Sequence, residues 1–172
     1  MKIFLIISAV TVYLIYSVYL LNSYSNQLSD TKKPVIYPSP SPAITLINNQ
    51  RTTVNFQAAM VFWLNNIRQS FGCSELKENE QLTKAAQERA NYLFDSGTFE
   101  HDGYVETTKK YYNWRSLAEN MVKGYWNVES SQLALIGSKE HRDIMLTCKY
   151  KDVGIGNKAD VWIQIFGLEK NY

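Results

Sequence analysis

The hydrophobic period of this chain changes once, from helical to strand-like, and that order leaves few folds open. From Thr52 the apolar residues Phe56, Ala59, Met60, Trp63, Ile67 and Phe71 fall at steps of three and four, and Gly72 follows as a helix terminator. Leu82, Ala85, Ala86, Ala90, Leu93 and Phe94 repeat the stripe between Asn79, a capping residue type, and Gly97. Residues 115–123, which precede Gly124, read as a short helix, and so do 131–136 and 138–146. Then Val153 and Ile155, and Val161, Ile163 and Ile165, alternate with other residues across a polar turn at 157–160. That is the pattern of a terminal antiparallel hairpin. Helices first and strands last predict an α+β domain, with helices on the faces of a small antiparallel sheet.

Ahead of this domain, residues 3–21 form a run of 19 residues without a charge. At about 1.5 Å per residue, a helix of that length nearly covers a hydrocarbon core of about 30 Å. Cleaved signal peptides carry a shorter apolar run, about 7–15 residues, followed by a small-x-small site. The residues after this run, Asn22-Ser-Tyr-Ser-Asn26, fit such a site poorly. The run is therefore expected to be an uncleaved signal-anchor that crosses the membrane once, with secretion after cleavage as the alternative. Residues 22–51 are polar and contain Tyr-Pro-Ser-Pro-Ser-Pro at 37–42, the composition of a semi-rigid stalk. The domain proper is expected over 52–172, facing the extracytoplasmic side.

The cysteine count agrees with that side. Only Cys73 and Cys148 are present, both in the domain, and an oxidising compartment would let them pair. The alternative is two reduced, buried thiols. From Thr52 onward 14 basic residues face 15 acidic ones, a net of −1, with no basic run to neutralise phosphates. Nucleic acid is not an expected partner.

The chain has two histidines, His101 and His141, both in polar surroundings. His101 follows a helix stop and is expected on a loop. If Ser138 caps the next helix, His141 is its third residue, where the positive end of the helix dipole disfavours imidazolium. A neutral imidazole is what a metal ligand or a general base must be. Glu119 is the third candidate. Two histidines and one carboxylate with an open position form the ligand set of many catalytic zinc sites, but the intervals of 18 and 22 residues carry no local geometry. The opposing reading is that both rings only hydrogen-bond and hold loops.

Six short pieces occur in order: Gln81-Leu-Thr-Lys-Ala-Ala-Gln-Glu-Arg-Ala90, Phe99-Glu-His-Asp-Gly103, Ala118-Glu-Asn120, Ser138-Lys-Glu-His-Arg142, Val153-Gly-Ile-Gly156 and Gln164-Ile-Phe-Gly167. Together they resemble the CAP superfamily, the SCP-like extracellular domain, in its compact bacterial form. The resemblance covers about residues 54–167 and implies an α-β-α sandwich with a surface cleft, displayed or secreted. It implies that His101, Glu119 and His141 line that cleft. Ala118 stands where glycine is usual, Lys139-Glu140 where Pro-Gly is common, and Leu135 where tryptophan is usual. The second cleft glutamate of longer members has no counterpart here.

Two classes of function follow as expectations. The first is a non-enzymatic module that binds a lipid, a peptide or a cell-envelope component. The second is a peptidase-like hydrolase in which His101 and His141 hold zinc and Glu119 serves as ligand or catalytic base. No serine or cysteine is paired with a base in the pattern of a nucleophile. A third reading is purely structural.

Overall fold

The computed structural model describes residues 55–170. The expected anchor at 3–21 and stalk at 22–51 lie outside the described residues, and no described helix is long and apolar enough to cross a membrane. Five helices and four strands follow in the order α1 Phe56–Ser70, β1 Lys77–Glu78, α2 Glu80–Ser96, α3 Tyr104–Lys109, β2 Trp114–Lys123, α4 Val128–Gly137, α5 Lys139–Met145, β3 Asp152–Lys158 and β4 Val161–Glu169. The two long helices begin and end where their punctuation places them. Asn55 and Asn79 each accept two backbone N–H groups from the first turn, and Gly97 closes α2 in the left-handed region at φ 72°.

The sheet runs in the order β1-β3-β4-β2. The terminal hairpin is as expected, with β3 antiparallel to β4 and the turn at Ala159 and Asp160. The sheet as a whole is mixed rather than antiparallel, because the short β1 pairs in parallel with β3 through Lys77 and Glu78. A second correction concerns 115–123, which is not a helix but most of the edge strand β2, antiparallel to β4 from Trp114 to Lys123. Residues 118–121 are buried in sequence, so the strand shows no inside–outside alternation. Ala, Leu and Glu are good helix formers, and pairing with β4 overrides that local preference.

Register divides the sheet into two faces. Glu119 lies opposite Ile165, which lies opposite Gly154; Met121, Ile163 and Gly156 form the next row. These face α2, whose Leu82, Ala85, Ala86, Ala90 and Leu93 complete a core cluster with Met121, Ile163 and Ile165. The alternate rows, Asn120–Gln164–Ile155 and Ala118–Phe166–Val153, face the layer that holds α1, α4 and α5. Helix α2 sits so close to β3 that a Cβ on Gly154 would lie 2.0 Å from the Leu82 carbonyl carbon, and one on Gly156 would lie 2.2 Å from that of Ala86. Backbone against backbone cannot give locally. Gly154→Ala should cost about 2–3 kcal/mol, read as a lowered urea midpoint; a cost under about 0.5 kcal/mol would contradict this approach.

The expected disulfide is present. Cys73, just after α1, is bonded to Cys148, just after α5, across a separation of 75 residues. Arg68 binds the same two segments. Fully buried, it donates to the carbonyls of Ser74, Met145, Thr147 and Tyr150.

Candidate functional site

The site is built around the edge of the sheet, on consecutive residues of β2 that point to opposite layers. Glu119 faces α2, and its side chain has no exposed surface. Arg89 on α2 donates from Nε to Glu119 Oε1 at 3.0 Å, and its Nη2 lies 3.4 Å from Oε2. The guanidinium also donates to the carbonyls of Asp102 at 2.9 Å and Glu100 at 2.8 Å. One buried cation thus grips the carboxylate and the backbone on either side of His101.

His101 completes the arrangement. Its Nδ1 lies 2.9 Å from Glu119 Oε2, while the side chain is 51% exposed. A carboxylate partner places the hydrogen on Nδ1 and leaves Nε2 as the atom available to a ligand. As expected, the residue sits on the loop that follows α2.

His141 comes from the other layer. It is the third residue of α5, as the sequence suggests, although Ser138 does not cap that helix with its side chain; the hydroxyl donates to Glu140 instead. Burial lowers the His141 pKa, and an electrostatic effect of His101 lowers it further against a smaller opposing effect of Glu140. The ring is therefore neutral at neutral pH, with a buried Nδ1 that has no hydrogen-bond partner. The His141 carbonyl accepts from Asn120 Nδ2 at 3.0 Å. Glu119 thus meets the ring of His101, and its neighbour Asn120 binds the helix of His141.

Asn120 continues inward as a line of buried amides. Its Nδ2 lies 3.4 Å from Gln164 Oε1, Gln164 donates to Gln132 Oε1 at 3.1 Å, and Gln132 donates to the Met60 carbonyl at 3.0 Å. This line ties β2, β4, α4 and α1 together without a charge.

Two residues that matter here were not singled out in the sequence. Arg89 falls on the apolar stripe of α2, seven residues after Leu82 and four before Leu93, and a charge on a buried stripe is a readable signal. Gln164 is the same kind of signal in β4, a polar side chain among Trp162, Ile163, Ile165 and Phe166.

The donor set bears on zinc. Both Glu119 oxygens are engaged by Arg89 and His101, so a cation there would have to sit against a fixed guanidinium. Among the described residues no group of three or more His, Cys, Asp or Glu is placed to hold one ion. His101, Glu119 and His141 as arranged do not fit a three-ligand zinc centre. Glu119 accepts from Arg89 on both oxygens and meets His101 at Oε2, so its carboxylate is held in place by the protein itself. A hollow of about 310 Å³ opens beside Arg89, lined by Tyr92, Asp102, Gly103 and Thr107 among others. A larger one of about 660 Å³ runs along Val105 to Trp114. Neither of these two is lined by His101, Glu119 or His141.

Solved structures share this architecture. An extracellular protein containing an SCP domain from Bacillus anthracis superposes with a TM-score of 0.64 at 17% identity, over 66% of this chain and 40% of that one. An outer surface protein of Borrelia burgdorferi gives 0.61 at 19% identity, over 66% and 92%. A cysteine-rich secretory protein of Staphylococcus aureus gives 0.55 at 24% identity, over 69% and 41%. The matched region thus spans well under half of the Bacillus and Staphylococcus chains. Among curated proteins none matches significantly. The family model described as "CAP: Cysteine-rich secretory protein family" matches residues 62–160, more than half of the sequence, and the chain belongs to that family.

Proposed function

We propose that this protein is a membrane-tethered, extracytoplasmic binding module that holds a lipid, peptide or cell-envelope ligand beside His101, Glu119 and His141. One observation carries the reading: the buried carboxylate of Glu119 is already neutralised by Arg89 and pins a half-exposed imidazole. Such a group orients a hydrogen-bonding ring toward a ligand. The neutral His141 adds a second imidazole, whose buried Nδ1 has no partner of its own. Tethering is supported by the uncharged run at 3–21, and an oxidising exterior by the Cys73–Cys148 bridge.

The two histidines make the test direct, because a spectrum of the full-length chain labelled with ¹³C-histidine contains signals from only those two rings. A fatty acid, a sterol, a short peptide and a soluble peptidoglycan fragment are added one at a time. Binding at this site shifts both imidazole signals with one of the probes. Signals unmoved by every probe, or zinc-dependent hydrolysis of any of them, would overturn the proposal.

A further inference from the structure

The end of the sheet at the β3–β4 turn, where β2 also ends at Lys123, has no role in the site. Trp126, in the turn between β2 and α4, is 75% exposed, more than any other large apolar side chain among the described residues. The turn is firmly held: Gly124 N–H donates to the Asp160 carbonyl at 3.1 Å, and the Trp162 indole donates to the Tyr125 carbonyl at 2.7 Å. Trp126 is therefore presented by rigid neighbours. Exposed Lys123 ends β2, and exposed Lys158 ends β3 with its ammonium 5.9 Å from the centre of the exposed Phe94 ring. Asp160 between them is half-buried.

The chain enters the domain at this same face. Phe56, the first residue of α1, packs edge-on against Trp162 with ring centres 5.7 Å apart, and Trp162 holds the turn that displays Trp126. Asn55, the first described residue, thus caps a helix whose Phe56 lies against the tryptophan that holds this turn. Tryptophan, tyrosine and lysine are the residue types that settle at the headgroup level of a bilayer. A tether raises the local concentration of the domain at its own membrane, so a contact too weak to hold a free protein suffices. The 30 residues from 22 to 51 span at most about 100 Å, and a shorter path allows contact.

We infer that the face formed by Trp126, Tyr125, Phe94, Lys123 and Lys158 rests on the interfacial layer of the anchoring bilayer. The inference rests on the tethered reading above. Its partner is the headgroup and upper acyl region of a membrane that contains anionic lipid, and the site at Glu119 is left free to receive its ligand.

The test uses the full-length chain in vesicles of phosphatidylcholine and phosphatidylglycerol whose acyl chains are brominated close to the headgroup. Tryptophan emission should be quenched relative to unbrominated vesicles. Trp126→Phe should abolish most of that quenching, and Lys123→Gln with Lys158→Gln should reduce it. Protein that floats with the vesicles but shows no quenching overturns this inference and leaves the tether standing. Protein that does not float overturns the tether and the docked face together. Quenching that persists in Trp126→Phe assigns the contact elsewhere and overturns the inference. So does Trp126 emission that depends on the protein-to-lipid ratio without quenching, which would mean that a second copy covers the face.

Discussion

Arg89→Met should lower the stability of the domain by about 3–5 kcal/mol, the range found when one partner of a buried ion pair is removed. Arg89 is 2% and Glu119 0% exposed at the side chain, so water cannot take the place of the guanidinium. The carbonyls of Glu100 and Asp102 lose their donor at the same time, and the loop of His101 is released. Adding Glu119→Gln should recover more than half of the loss, because a neutral amide no longer needs a buried cation. Urea unfolding followed by tryptophan emission gives both numbers. A single-variant cost below about 1 kcal/mol, or no recovery in the double variant, would show that the pair is not the keystone of the site.

Replacing both cysteines with serine should cost about 4.5 kcal/mol, from the loop entropy of a closure of 75 residues. The loss should fall on the unfolded state. Arg68 joins the same two segments through four backbone carbonyls, so the folded geometry has a second fastening. In the Cys73→Ser, Cys148→Ser variant the His141 ring signal should therefore stay where it is in the parent, although the urea midpoint drops. A thiol titration of the intact chain should find none. Two titrating thiols, or a midpoint unchanged by the double substitution, would contradict the bridge.

What could be read in the sequence was what local chemistry decides. Asn79 and Gly97 delimit α2 because one accepts orphan N–H groups and the other tolerates a left-handed turn. The terminal hairpin was legible because β-branched residues alternate across a polar turn. Strand β2 was not, because it is buried on both faces and its Leu-Ala-Glu-Asn-Met sequence has neither strand alternation nor a strand-forming composition. The parallel pairing of β1 rests on two residues, too few to leave a pattern. Within the site, His101, Glu119 and His141 were candidates by residue type and local position, and the family resemblance implied that they share a cleft. Their relation to one another could not be read from intervals of 18 and 22 residues, since it depends on an arginine in α2 and an asparagine beside Glu119. Arg89 was visible as a misplaced charge, but its partner could be named only once β2 was known to be a strand.

Among the described residues, strand β2 hydrogen-bonds to the sheet through β4 alone, and β4 is the last of the nine elements. Glu119 and Asn120 therefore have no lattice to lie on until residues 161–169 have been delivered. In a chain delivered amino end first, the edge that carries Glu119 and Asn120 is the last part to come into being. On the proposed reading, a domain still threaded through an exporter would not yet hold a ligand, and a message truncated before Val161 would yield a product without the Glu119–Asn120 edge.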